Sequence, residues 1–94
     1  MVYKGTLSGA NITASNTYGA LTPAADKGYT YKVSTGGYIN GVKVEIGDML
    51  ICNTDNTVAA TSSNYSTIKN NWDFIQANLD PTTYITKATF TKAN

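Results

Sequence analysis

From Gly28 to Cys52 the chain reads GYTYKVSTGGYINGVKVEIGDMLIC, and only here do apolar alternation and turn chemistry agree over a long stretch. Tyr29, Tyr31 and Val33 fall on one side of an extended segment, with Thr30, Lys32 and Ser34 on the other. Gly36-Gly37 breaks that segment. Asn40-Gly41, set between Ile39 and Val42, has the residue types that a type I′ hairpin turn requires. Val42, Val44 and Ile46 then alternate with Lys43 and Glu45, and Gly47-Asp48 turns the chain again. Gly47 suits a positive φ there, and Asp48 can accept bonds from nearby amides. Met49-Leu50-Ile51-Cys52 is apolar on both faces and is expected to be the most buried strand. The pattern predicts a β-meander.

Other segments supply further strands. Val2–Leu7 forms a first, short one, weakened by Gly5. Residues 12–19 are small and polar, a loop or irregular edge. Pro23 forces extended backbone before it, and it could open one helical turn capped by Thr22. Residues 58–71 show no clean period and read as a surface loop. Trp72–Ala77 is the second strong strand, with Trp72, Phe74 and Gln76 on one face. Trp72, the only tryptophan, is expected to pack against Met49–Cys52 and to direct its indole N–H to a carbonyl or water. The two aromatic-bearing ribbons should meet face to face, with Tyr31, Val44, Ile51, Trp72 and Phe74 in the core. Asp80-Pro81 breaks the chain. Residues 1–81 therefore form the β domain, and 82–94 a terminal strand with Tyr84, Thr86, Ala88 and Phe90 on one side. That strand either folds back onto its own sheet or is exchanged with a neighbouring subunit. The expected fold is all-β: a small antiparallel sandwich or partly open barrel built from a meander, with room for one short helical turn.

A chain of 94 residues is one small domain, which buries only roughly 60–65% of its unfolded surface. Domains of this size often lean on disulfides, metal or self-association. A single cysteine, Cys52, excludes an internal disulfide, and with no histidine and scattered carboxylates no structural metal or other cofactor is expected. That leaves self-association, or simply a compact β core. The net charge is +1, from seven lysines spread along the chain and no arginine, which argues against nucleic acid as a partner. No apolar run approaches the ~20 residues of a membrane helix, so no membrane is expected either.

Catalytic constellations are missing. Without histidine, Ser/His and Cys/His pairs cannot be built. Cys52 has no adjacent base, so it reads as an inert buried thiol. No spacing brings two of Glu45, Asp55, Asp73 and Asp80 together as a glycosidase pair. No enzyme is expected. The tyrosines are the better lead. Tyr29 and Tyr31 alternate with Val33 and belong with the core, whereas Tyr18, Tyr38 and Tyr65 stand among Gly, Asn and Ser. Such rings stack on sugar faces or anchor partners, so these three are the contact residues to test.

Four pieces, taken in order, carry a resemblance. Tyr3-Lys4-Gly5-Thr6-Leu7, then Gly28–Val33, then Gly41–Cys52 with Val44-Glu45-Ile46-Gly47-Asp48-Met49-Leu50-Ile51-Cys52, and finally Trp72–Asp80 resemble a module of bacteriophage tail proteins. Such modules run YKGT, GDxYxV, VEVGDMIIC and W…IQxNxD, and they are frequent in tail fibres and other virion appendages of phages infecting gut Bacteroidales. Lys27-Gly28 stands where the module usually has Gly-Asp, and nothing after Pro81 matches. The resemblance implies a structural or adhesive virion part without catalytic residues. It implies a homo-oligomer, with a trimer favoured, that contacts other virion proteins and a host-surface glycan.

Overall fold

Strand β2 (Tyr29–Thr35) lies antiparallel beside strand β5 (Met49–Cys52), with Thr30 opposite Ile51, Tyr31 opposite Leu50 and Lys32 opposite Met49. The computed structural model describes residues 1–77, so the terminal strand expected at 82–94 lies outside the described residues. On one side of this pair stands β1 (Val2–Ser8), and on the other β6 (Trp72–Ile75), giving the order β1-β2-β5-β6. Between β2 and β5 the chain makes a separate two-stranded hairpin, β3 (Gly37–Ile39) with β4 (Val42–Val44). The all-β class holds.

The sheet is not a plain meander. Its second strand skips the hairpin to pair with the fifth, because Gly36-Gly37 turns the chain out of the sheet before the alternation resumes. Nor is it wholly antiparallel, since β1 runs parallel to β2. The register slips between Tyr3 and Gly5, where Gly5 has φ 140°, and again between Leu7 and Ser8. The first leaves Lys4 of the edge strand unopposed and the second leaves Ser34 of β2 unopposed, so the edge pairing is not flat.

Side chains opposite one another share a face, so the register sorts the residues. Tyr31, Leu50 and Phe74 form one inner row, and Cys52 faces Trp72 on the same side. Onto this face the hairpin lays Ile39 and Val44, which join Val33, Leu50, Cys52, Ile68 and Trp72 in a single buried cluster. The result is two layers, sandwich-like. The tryptophan does meet Met49–Cys52, but edge to edge in one sheet rather than across two facing ribbons. No partner for its buried indole Nε1 lies among the described residues. Its ring packs against that of Tyr31, with centroids 5.8 Å apart.

Two residues depart from their expected faces. Ile51 belongs to the outer row with Thr30 and Asp73, half-buried rather than in the core. Thr30, expected to face water with Lys32, is fully buried. It sits on an interior strand between Tyr3 and Ile51, and its hydroxyl donates to the Gly28 carbonyl at 3.1 Å.

The helical turn is displaced as well. Residues after Pro23 are not helical, and Ala25 instead bridges Thr57. Helix α1 (Tyr65–Ile68), continued by a 3₁₀ turn over Lys69–Asn71, occupies what reads as a loop. A single buried residue, Ile68, anchors it, which is too little apolar periodicity to show in the sequence. No helix among the described residues is long and apolar enough to cross a membrane.

The Asn40-Gly41 turn has φ of 51° and 77°, as a type I′ turn demands. Unlike an ordinary hairpin tip, Asn40 is completely buried. Its Oδ1 accepts the Thr22 amide at 3.2 Å, and its Nδ2 donates to the Thr22 hydroxyl at 2.9 Å. We expect Asn40→Gly, which keeps the backbone relaxed, to cost about 1–3 kcal/mol through the stranded Thr22 amide. Asn40→Ala should cost about 1 kcal/mol more, from the positive φ, as measured by denaturant unfolding.

Candidate functional site

The loop before Gly19, the Asn40-Gly41 turn and the start of α1 meet at the tip of the β3–β4 hairpin. Residues 10–20 wrap the hairpin, with Ala10 bridging Tyr38 antiparallel and Ala20 bridging Ile39 in parallel. The Tyr38 carbonyl accepts from both the Ala10 and Ala20 amides, at 3.1 and 2.9 Å. Asn16 shapes the loop that follows. Its Oδ1 accepts the amides of Tyr18 (3.2 Å) and Gly19 (2.9 Å), and its Nδ2 donates to the Gly19 carbonyl at 3.1 Å. Gly19 is obligatory here, since a Cβ would lie 2.5 Å from the Tyr38 oxygen at a φ of 74°.

That loop presents Tyr18 to Tyr65, the first residue of α1. Their ring centroids are 5.2 Å apart at 42°, and the Tyr65 hydroxyl lies 3.1 Å from the Thr17 hydroxyl. The Gly41 amide donates to the Tyr18 carbonyl, and a Cβ on Gly41 would approach the Tyr65 ring to 3.2 Å. Loop, hairpin turn and helix thus build one half-buried aromatic pair. Tyr38 does not join it; it is half-buried on β3 and makes no ring contact among the described residues. Two of the three tyrosines singled out by their Gly/Asn/Ser neighbours are therefore brought together, from positions far apart in the chain.

What such a pair can do is limited by its chemistry. It offers two π-faces and hydroxyls able to donate or accept, suited to stacking on a sugar ring or an apolar partner surface. Among the described residues no group of three or more His, Cys, Asp or Glu gathers that could hold a metal ion.

The other turn, Gly47-Asp48, is structural in character. Gly47 has φ 95°. Asp48 is buried, and its Oδ2 accepts the Glu45 amide at 2.9 Å, the local bond expected of it. Its Oδ1 reaches much further, to the Ala77 amide at 3.1 Å, and so fixes the chain where it leaves β6. Beside it, Lys43, Val44, Glu45, Phe74, Ile75 and Gln76 enclose a cavity of about 240 Å³. Neither the Asn40 clamp nor this long reach of Asp48 is visible in sequence, because both link turn residues to segments whose proximity the topology alone creates.

Cys52 is buried, and its Sγ donates to the Thr54 carbonyl at 3.2 Å and lies 3.4 Å from the Thr57 hydroxyl. The Tyr31 hydroxyl is held above its ordinary value, chiefly by burial and also by the charges Tyr29 and Cys52 would carry.

No protein-family description, curated protein or solved structure matches the chain.

Tyr65→Phe should keep the ring pair and lose only the Thr17 contact, costing about 0.5–1.5 kcal/mol in denaturant unfolding. Tyr65→Ala should cost more, by the further 0.5–1.5 kcal/mol or so of the aromatic pair, and should quench less tyrosine signal from the 16–19 loop. A raised Tyr31 pKa means that its neutral form is favoured in the fold. Its contribution is complete below about pH 10 and is lost as pH rises through the folded value. Stability should therefore fall on the alkaline side of about pH 10, less so in Tyr31→Phe, as followed by thermal unfolding at several pH values.

Proposed function

We propose that this chain is a non-enzymatic structural domain of a bacteriophage virion, of the tail-fibre or appendage type. In this role it assembles with itself and with other virion proteins and contacts the host surface. One observation carries the reading. The four pieces that resemble phage tail modules fall on β1, on β2, on β4 with β5, and on β6, which together include every strand of the four-stranded sheet. A resemblance scattered over loops would say little; this one follows the sheet.

The edges of the sheet lend support. β1 is an outer strand of seven residues, mostly exposed, and Val2 and Tyr3 are 51% and 59% accessible. An outer strand with apolar side chains is a ready template for pairing with another copy, and a small core gains stability from such pairing. Localisation in the virion and a trimeric state follow from the same reading.

A second reading draws on the Tyr18–Tyr65 pair: a stand-alone carbohydrate-binding module in which the two rings take the sugar. Light scattering and sedimentation over a range of concentrations separate the two. The virion reading expects a stable trimer, dissociated when Val2 and Tyr3 are replaced by lysine. A monomer at every concentration, with tyrosine fluorescence that responds to added oligosaccharide, overturns it in favour of the module.

A further inference from the structure

Where the chain enters β2, the Ala25–Thr57 bridge borders a second and larger cavity, of about 380 Å³. Its floor is the buried pair Ala25 and Thr57, which exchange backbone bonds of 2.9 Å in both directions. Tyr29, Ala24 and Val58 supply the apolar wall, and Asp26 and Asn56 the polar one. Bonds within the wall hold these groups in place. Asp26 Oδ1 accepts the Asn56 amide at 3.0 Å, and the Asp26 carbonyl accepts the Tyr29 amide at 3.0 Å. Asp26 Oδ2 and the Asn56 carboxamide have no partner among the described residues. Asn56 sits at φ 57°, where glycine is the residue of least strain. Asparagine tolerates that backbone and adds to the wall a donor and an acceptor that glycine lacks.

We propose that this cavity binds one unit of a neutral saccharide. Its charges weigh against the other ligand classes. An anion would meet the Asp26 carboxylate. The Lys4 ammonium already lies over the Tyr29 ring, 4.6 Å from its centroid, so a cationic ligand would share that ring with a like charge. A wholly apolar ligand would strip water from the Asp26 carboxylate and return no bond. A pyranose answers each demand. Its C–H face packs on Tyr29, one hydroxyl donates to Asp26 Oδ2, and a neighbouring oxygen accepts from Asn56 Nδ2. The volume lies near the lower end of the roughly 300–1,000 Å³ of small-molecule sites, which gives room for one ring rather than a chain of them. Because the backbone of the wall is already bonded, little ordering is needed on binding. The site shares no residue with the Tyr18–Tyr65 pair, and it does not depend on the chain's assembly.

Titration of the full chain with glucose, galactose, mannose and N-acetylglucosamine, each followed by amide NMR, tests this. At least one sugar should shift the Asp26, Tyr29 and Asn56 amides saturably, with a Kd on the order of millimolar, the strength that a single ring contact allows. Asn56→Gly keeps the backbone conformation, and Asp26→Asn keeps an acceptor for the Asn56 amide. Each should weaken that sugar about tenfold or more while thermal unfolding stays near that of the unaltered chain. Shifts centred on Tyr18 and Tyr65 instead, an unchanged Kd in either variant, or no saturable shift with any of these sugars overturns the proposal. So does choline or uridine binding more tightly than every sugar. Light scattering on the same samples keeps the two readings apart. A monomer that binds sugar here would defeat the assembly reading above and leave this inference standing, and a trimer with no response here would do the reverse.

Discussion

β5 is bonded on both sides, to β2 and to β6, and the rest of the domain is placed by that double pairing. Leu50 is 0% exposed and Cys52 1%, so the four residues of this strand hold the centre of the molecule. Because β2 must reach β5 across the thirteen residues 36–48, the chain between them has to leave the sheet and return. It does so as the β3–β4 hairpin, whose Ile39 and Val44 then cover the inner face. Each such side chain contributes about 1.5–3 kcal/mol when fully buried. Without the β2–β5 ladder the hairpin would have nothing to cover.

A core this small cannot be closed by apolar residues alone, and its gaps are sealed by polar ones that carry their own partners. Asn40 and Thr22 satisfy each other in the interior. At the surface, the exposed Asp26 and Asp55 brace the Ala25–Thr57 bridge: Asp55 accepts the Lys27 amide at 3.0 Å and Asp26 accepts the Asn56 amide at 3.0 Å. Thr57 ties its hydroxyl to the Thr54 carbonyl at 2.6 Å. Buried polar groups that are bonded in this way add specificity, since a shifted register would leave them unpaired. Short polar residues of the turns thus serve the tertiary structure as much as their own loops.

Much of this was legible from period and turn chemistry. Alternation around Tyr31 and Val44, the Asn40-Gly41 and Gly47-Asp48 turns, and the Trp72–Phe74 ribbon are all local signals, and the strands stand where those signals put them. Pairing is not local. Nothing in residues 28–52 states that β2 skips a hairpin to meet β5, or that β1 runs parallel to β2. The assignment of Ile51 to the core failed for the same reason, since its face is set by which strands flank it. Helix α1 escaped notice because Ile68 alone carries its burial. At the site, Tyr18 and Tyr65 were marked by their neighbours' composition, whereas their contact depends on Asn16 and on the turn at Gly41.

Cys52 brings a practical consequence. Its sulfur is sealed behind Trp72 on the neighbouring strand and bonded within the 54–57 turn. A thiol reagent can reach it only in molecules whose central strand has come away from the sheet. With one cysteine in the chain, the rate of alkylation under native conditions therefore counts openings of the β5–β6 seam directly, a natural clock for how often the middle of this domain breathes.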